Sequence, residues 1–117
     1  MADSTEVDEL VVTELSDTNS TALEAGRTES VDLSDVAVTR ATLEPEWGTD
    51  SDRGSVEPDY CQNAHDIYVV SGTLGLELDD GTQTEITAGC AATIPPGHRG
   101  WTVGDERLVY LEFDPSE

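Results

Sequence analysis

Lysine is absent from this chain. Its five basic residues are all arginines (Arg27, Arg40, Arg53, Arg99 and Arg107), set against 26 acidic residues for a formal net charge of −21. Such a surplus repels nucleic acid phosphates and anionic lipid, so partners of either kind are excluded as expectations. Aromatic residues make up 5% and hydrophobic residues 36% of the 117 positions, which leaves material for one small, economical core and little room for a second domain. No apolar run approaches the roughly 18 residues of a membrane helix. The first ten residues, "MADSTEVDEL", lack the apolar segment of a signal peptide, so a cytoplasmic location is expected. Two cysteines in a reducing compartment make a poor disulfide framework, and Cys61 and Cys90 are expected as free thiols. The sequence also has no glycine-rich phosphate loop, no Gly-x-Ser-x-Gly elbow and no Cys-x-x-Cys pair. With two histidines in all, imidazole chemistry rests on His65 and His98.

What is abundant is acid, spread along the whole chain. A partly disordered acidic protein is one reading. The other is adaptation to a salt-filled cytoplasm, where the screening length falls to about 3 Å at 1 M and self-repulsion is quenched. The complete loss of lysine favours the second, and the composition resembles that of haloarchaeal proteins.

Residues 1–34 are polar and acidic, with one apolar stretch, "ELVVTEL" (9–15), that offers an edge strand. Residues 35–117 have a different texture. "VAVTRATL" reads as a strand, and "EPEWGTDSDRGSVEPD" breaks it with prolines and glycines into a long loop, placed to form a rim or lid. Then come "HDIYVVSG", "TLGLELDD", "GTQTEITAG", "CAATIPPG", "WTV" and "RLVYLEF", short strands each ended by Gly, Pro or Asp. Leu74, Leu76 and Leu78 alternate with Gly75 and Glu77 as in a half-buried strand. Asp80-Gly81 marks a hairpin corner. The fold class is therefore all-β, a sandwich or barrel.

"HDIYVVSG", a hairpin and "AGCAATIPPG" together resemble the two motifs of the cupin superfamily, with Gly89, Pro95 and Gly97 at the family's spacing. The resemblance covers roughly residues 35–113. It implies a small jelly-roll β-barrel with an internal pocket for a small-molecule ligand, and a homodimer. Metal-binding cupins carry two histidines and a glutamate in the first motif and a third histidine in the second. Here the glutamate position falls on His65, the histidine pair on Asp59 and Cys61, and the last histidine position on Gly100, with His98 two residues early. Small single-domain cupins are similar in sharing Cys-Gln-x-x-His and Pro-Pro-Gly-His elements, here 61–65 and 95–98, which implies a rebuilt site rather than a decayed one.

On an extended strand Asp59, Cys61, Asn63 and His65 share one face. If that face is the interior, Cys61, His65 and His98 are candidate ligands for a divalent transition metal, with Asp59 in reserve. A thiolate and two imidazoles with an open position suit zinc, and the thiolate also suits copper or iron; manganese and nickel remain on the list of candidates. The competing reading makes Cys61 and His65 core or rim residues, His98 a solvent-facing turn residue, and the protein a metal-free ligand-binding or sensory module. Straight extension would hold Cys61 and His65 roughly 13 Å apart, too far for a nucleophile–base pair or a shared ion unless the chain bends at "QNA". Tyr60, Trp101 and Arg99 are candidate pocket residues, Trp47 another, against core packing for the aromatics and ion pairing for Arg99. Cys90 is expected as a small buried side chain.

Overall fold

The computed structural model describes residues 10–16, 19–23, 25–48 and 61–115. Nine strands make up its regular structure: β1 (Ser20–Leu23), β2 (Gly26–Asp32), β3 (Val36–Leu43), β4 (His65–Ser71), β5 (Thr73–Leu78), β6 (Gln83–Thr87), β7 (Ala91–Ile94), β8 (His98–Thr102) and β9 (Leu108–Pro115). No helix among the described residues is long and apolar enough to cross a membrane. All pairings are antiparallel, in a six-stranded sheet ordered β1-β2-β3-β9-β4-β7 and a three-stranded sheet ordered β6-β5-β8. Among the described residues the sheets are not hydrogen-bonded into a closed barrel; they face one another as a sandwich of jelly-roll type.

Alternation decides which residues lie between them. Ala41 and Leu43 of β3, Ile67 and Val69 of β4, Ile94 of β7 and Leu108 of β9 project from the large sheet onto Leu74 and Leu76 of β5. Val69 and Leu108 are fully buried, and each such aliphatic side chain contributes about 1.5–3 kcal/mol relative to exposure. On the small sheet the register puts Leu74, Leu76 and Leu78 opposite Thr102, Gly100 and His98. Those residues form its inner face. The intervening pairs, Gly75 with Trp101 and Glu77 with Arg99, form its outer face. Gly75 is needed there because a Cβ would lie 2.3 Å from the Trp101 indole.

The expected strands from "VAVTRATL" to "RLVYLEF" are all present. In the N-terminal segment, residues 10–16 carry no strand, and Leu10 and Val12 stand in solvent. The sheet instead ends in β1 and β2, built from the polar "STAL" and "GRTESVD". Glu29 of β2 is buried, with 2% of its side chain exposed, and accepts hydrogen bonds from Arg27 Nε and Arg40 Nε, both at 3.1 Å. The Arg40 bond holds its carboxyl below the usual carboxylate range, with Arg27 adding to the effect against the cost of burial. Most of the loop between β3 and β4, including Asp59 and Tyr60, lies outside the described residues.

Candidate metal centre

The strands bring Cys61, His65 and His98 together although they sit on different walls. Cys61 forms an isolated bridge with His98 at the start of β8. Its N–H donates to His98 O at 2.6 Å, and its own carbonyl accepts from Gly97 N at 2.7 Å. His65 belongs to the other sheet, where it opens β4 opposite Ile94 of β7. Residues 62–64 therefore cross from one sheet to the other, with a bend at Asn63. The 13 Å separation of a straight strand does not apply: Cys61 Sγ lies 3.5 Å from His65 Nε2. The turn before β8 depends on Gly97, whose φ of +85° is left-handed and whose absent Cβ would sit 2.4 Å from the Asp79 carboxylate.

Each imidazole is fixed from behind. His98 is buried, with 6% exposed, so it is not a solvent-facing turn residue. Its Nδ1–H donates to the Pro95 carbonyl at 2.7 Å, which leaves the lone pair on Nε2. His65 Nδ1 is hydrogen-bonded to the Glu112 carboxylate, and this likewise directs the His65 Nε2 lone pair toward Cys61. The rings meet edge to face with centroids 5.0 Å apart. One ligand atom from each of Cys61, His65 and His98 can be chosen so that all lie within 4.8 Å of one another. With metal–sulfur and metal–nitrogen bonds of about 2.3 Å and about 2.05 Å, a tetrahedral ion needs its sulfur and nitrogen about 3.6 Å apart. The Cys61–His65 spacing meets that requirement. The donor set fits a divalent transition metal, and acceptors behind histidine ligands are the usual means of fixing their tautomer.

The pair is also coupled electrostatically. A backbone hydrogen bond at Asn63 and the bond to His65 bring the Cys61 thiol below its ordinary pKa, against opposition from burial. Burial alone would depress the pKa of His65, but its bonds to Cys61 and Glu112 and their charges outweigh it, so His65 is raised. Thiolate and imidazolium each favour the other.

These groups lie at the side of a cavity of about 340 Å³ between the two sheets, whose walls include Trp47, Ile67, Leu74, Leu76, Ile94 and Tyr110. Arg99 reaches the cavity, but its guanidinium is committed elsewhere. Nη2 lies 2.6 Å from Glu77 Oε1, and the group stacks over Trp101 with its centre 5.4 Å from the ring. Trp101 is on the outer face of the small sheet and is not among the residues that line the cavity. Trp47 does line it. Both thiols are free, and Cys90 is exposed rather than buried, because it occupies the turn before β7, where its amide donates to Thr87 O at 3.1 Å. Glu112 and Tyr110 were not singled out in the sequence. The alternation Leu108, Tyr110, Glu112 was the available signal, since it puts an acid on the core face of a strand.

No protein-family model matches the chain, and no curated protein sequence matches it. Solved structures do. One variant of oxalate decarboxylase from Bacillus subtilis superimposes with a TM-score of 0.57 at 25% identity, and a second with 0.58 at 22%. In both cases the match covers 80% of this chain and 26% of the larger one, so this chain spans about a quarter of that enzyme's length. The same enzyme, matched at 22% identity and a TM-score of 0.55, has Mn(II) centres. At such identities the likeness establishes architecture and nothing about reaction. The chain has the cupin fold.

Proposed function

We propose that this protein holds a divalent transition metal on Cys61, His65 and His98 and binds a small molecule beside it in the cavity. The observation that carries the reading is the convergence of three ligand atoms within 4.8 Å, with both imidazoles anchored through Nδ1. The Mn(II) centres of the structural neighbour support a metal on this fold and leave the identity of the ion here open. A bound ion would supply Lewis acidity or activate oxygen at its open position. The chain's own residues do the rest: Glu112 orients His65, Pro95 orients His98, and the apolar walls exclude water.

Elemental analysis of protein purified without chelator or histidine tag tests this, beside Cys61→Ala, His65→Ala and His98→Ala. Near-stoichiometric metal that falls sharply in all three variants is expected; an empty wild type that takes up no ion on reconstitution refutes it. One observation favours a second reading, a metal-free binding or sensory module. Cys61, His65 and Glu112 already form a hydrogen-bonded chain, the arrangement that activates a thiol without any ion. Alkylation of Cys61 by iodoacetamide, unaffected by added metal, would support that module.

Two features beyond the site belong to the same reading. The lysine-free acidic composition fits a salt-rich cytoplasm, and a melting temperature that climbs with salt concentration checks it. The outer face of β4 and β9 exposes Tyr68, Val70 and Phe113, where a homodimer would close; sedimentation at high salt decides the state.

A further inference from the structure

The cavity's charge and walls narrow the class of molecule it accepts. A divalent ion at the site would be offset by the Cys61 thiolate and the Glu112 carboxylate that holds His65. The local charge then sums to zero. Without the ion the site is neutral or negative. Among the described residues the one cationic side chain at the cavity, Arg99, is paired with Glu77 and stacked on Trp101, so it does not serve as a clamp for a carboxylate. A ligand entering as a dianion would bring uncompensated charge into apolar surroundings, which costs several kcal/mol unless the charge is paired. The chain's net charge of −21 opposes its approach as well.

Among the described residues the rest of the cavity wall is apolar apart from one group. Ile67, Leu74, Leu76, Ile94 and Trp47 offer hydrocarbon and an indole. Tyr110 is two residues before Glu112 on the same face of β9 and also lines the cavity. Burial, with the charges of Glu112 and Cys61, pushes its pKa up to about 12, so its phenol keeps its proton and can donate. No hydrogen-bond partner for that hydroxyl is present among the described residues. At about 30 Å³ per water, the cavity of about 340 Å³ equals the volume of about eleven waters, which admits a molecule of about ten non-hydrogen atoms.

We propose that the cavity takes a neutral, largely apolar molecule of this size with a single hydroxyl or carbonyl oxygen, held between the Cys61–His65–His98 centre and the Tyr110 hydroxyl. Small dianionic acids, oxalate among them, are excluded. This rests on the metal reading for the oxygen's second partner, whereas the apolar walls and Tyr110 belong to the chain itself.

The test is calorimetric titration of the zinc-loaded and the metal-free protein with para-isopropylphenol, isopropylbenzene and oxalate, with zinc content measured on the same samples. The phenol should bind the zinc-loaded protein at least about tenfold tighter than oxalate, since the dianion is left unpaired. Tyr110→Phe should weaken the phenol about threefold to tenfold, the share of one hydrogen bond, with isopropylbenzene unchanged. Leu76→Phe, which narrows the cavity, should weaken both aromatic probes. Oxalate binding as tightly as the phenol, or no phenol binding to a zinc-loaded protein, overturns the proposal and leaves the metal site standing. A protein that takes no zinc yet prefers the phenol to oxalate overturns the metal reading and supports the cavity's selectivity. Far-UV circular dichroism on each variant separates lost binding from lost folding.

Discussion

Replacing Glu112 by glutamine tests how the site is held in place. Glutamine keeps the length and an acceptor oxygen but removes the charge that faces His65 Nδ1. A hydrogen bond to a charged group contributes about 1.5–3 kcal/mol and a neutral one about 0.5–1.5. The expected loss is therefore about 1–1.5 kcal/mol, close to tenfold in metal affinity. That lies at the lower edge of the 10- to 100-fold usual when a partner behind a metal ligand is changed, as a rough guide. One effect runs the other way. The Glu112 charge helps to raise the His65 pKa, so its removal also weakens proton competition for Nε2. Well above the raised pKa of His65, where its ring is neutral, that compensation fades and the orientation effect stands nearly alone. The assay is competition for zinc against a chromophoric chelator at two pH values. A loss of about tenfold at the higher pH, smaller near neutrality, is predicted by the charge-assisted bond. Equal affinity for Glu112→Gln and wild type at the higher pH would refute the reasoning and make Glu112 a bystander.

Other consequences follow from particular residues. The raised pKa of His65 means that metal affinity falls by at least about tenfold per pH unit as acid protonates it, starting above the ordinary imidazole value of about 6.5, and more steeply where Cys61 must also lose its proton; zinc titrations across pH check the slope. For the metal-free fold the sign is opposite: the contribution of His65 is complete below its unfolded pKa and is lost as pH rises through the folded one. Leu108, fully buried at the centre of the core, should cost about 2–5 kcal/mol when cut to alanine, read by denaturant unfolding in high salt. Thr102→Val should be neutral or stabilising by up to about 1 kcal/mol, because the buried Thr102 hydroxyl has no hydrogen-bond partner among the described residues and an unmet donor costs more than a methyl. A clear loss of stability would show that the hydroxyl is paired.

Much of the fold could be read from residues 36–113 because its strands obey a period of two and end at Gly, Pro or Asp. The Asp80-Gly81 corner and the leucines of β5 are where alternation put them. The strands β1 and β2 were not legible. Their residues are polar, and they join the sheet through backbone pairing with β3 and the Glu29 ion pairs rather than through an apolar face. In the apolar "ELVVTEL" the described residues, 10–15, carry no strand, since apolar content alone does not supply a pairing partner.

At the site, Cys61, His65 and His98 were legible by residue type and spacing, but their geometry was not. Strand periodicity treats residues 61–65 as one straight run, whereas the chain bends at Asn63 and changes sheets. Only the tertiary pairing of Cys61 with His98 reveals that Cys61 and His65 approach from opposite walls. Glu112 was hidden because a chain with 26 acidic residues gives no reason to prefer one of them until β9 is seen to turn it inward. Arg99 does reach the cavity, but what its sequence position beside His98 could not show is that its guanidinium is paired with Glu77 and set over Trp101.

The most direct test of the account is X-ray absorption at the zinc edge of the zinc-loaded protein. One sulfur at about 2.3 Å and two nitrogens at about 2.0–2.1 Å are predicted, with the sulfur shell absent in Cys61→Ser and one imidazole lost in His98→Ala. A shell of oxygens and nitrogens alone in the wild type would contradict a centre built on Cys61, His65 and His98.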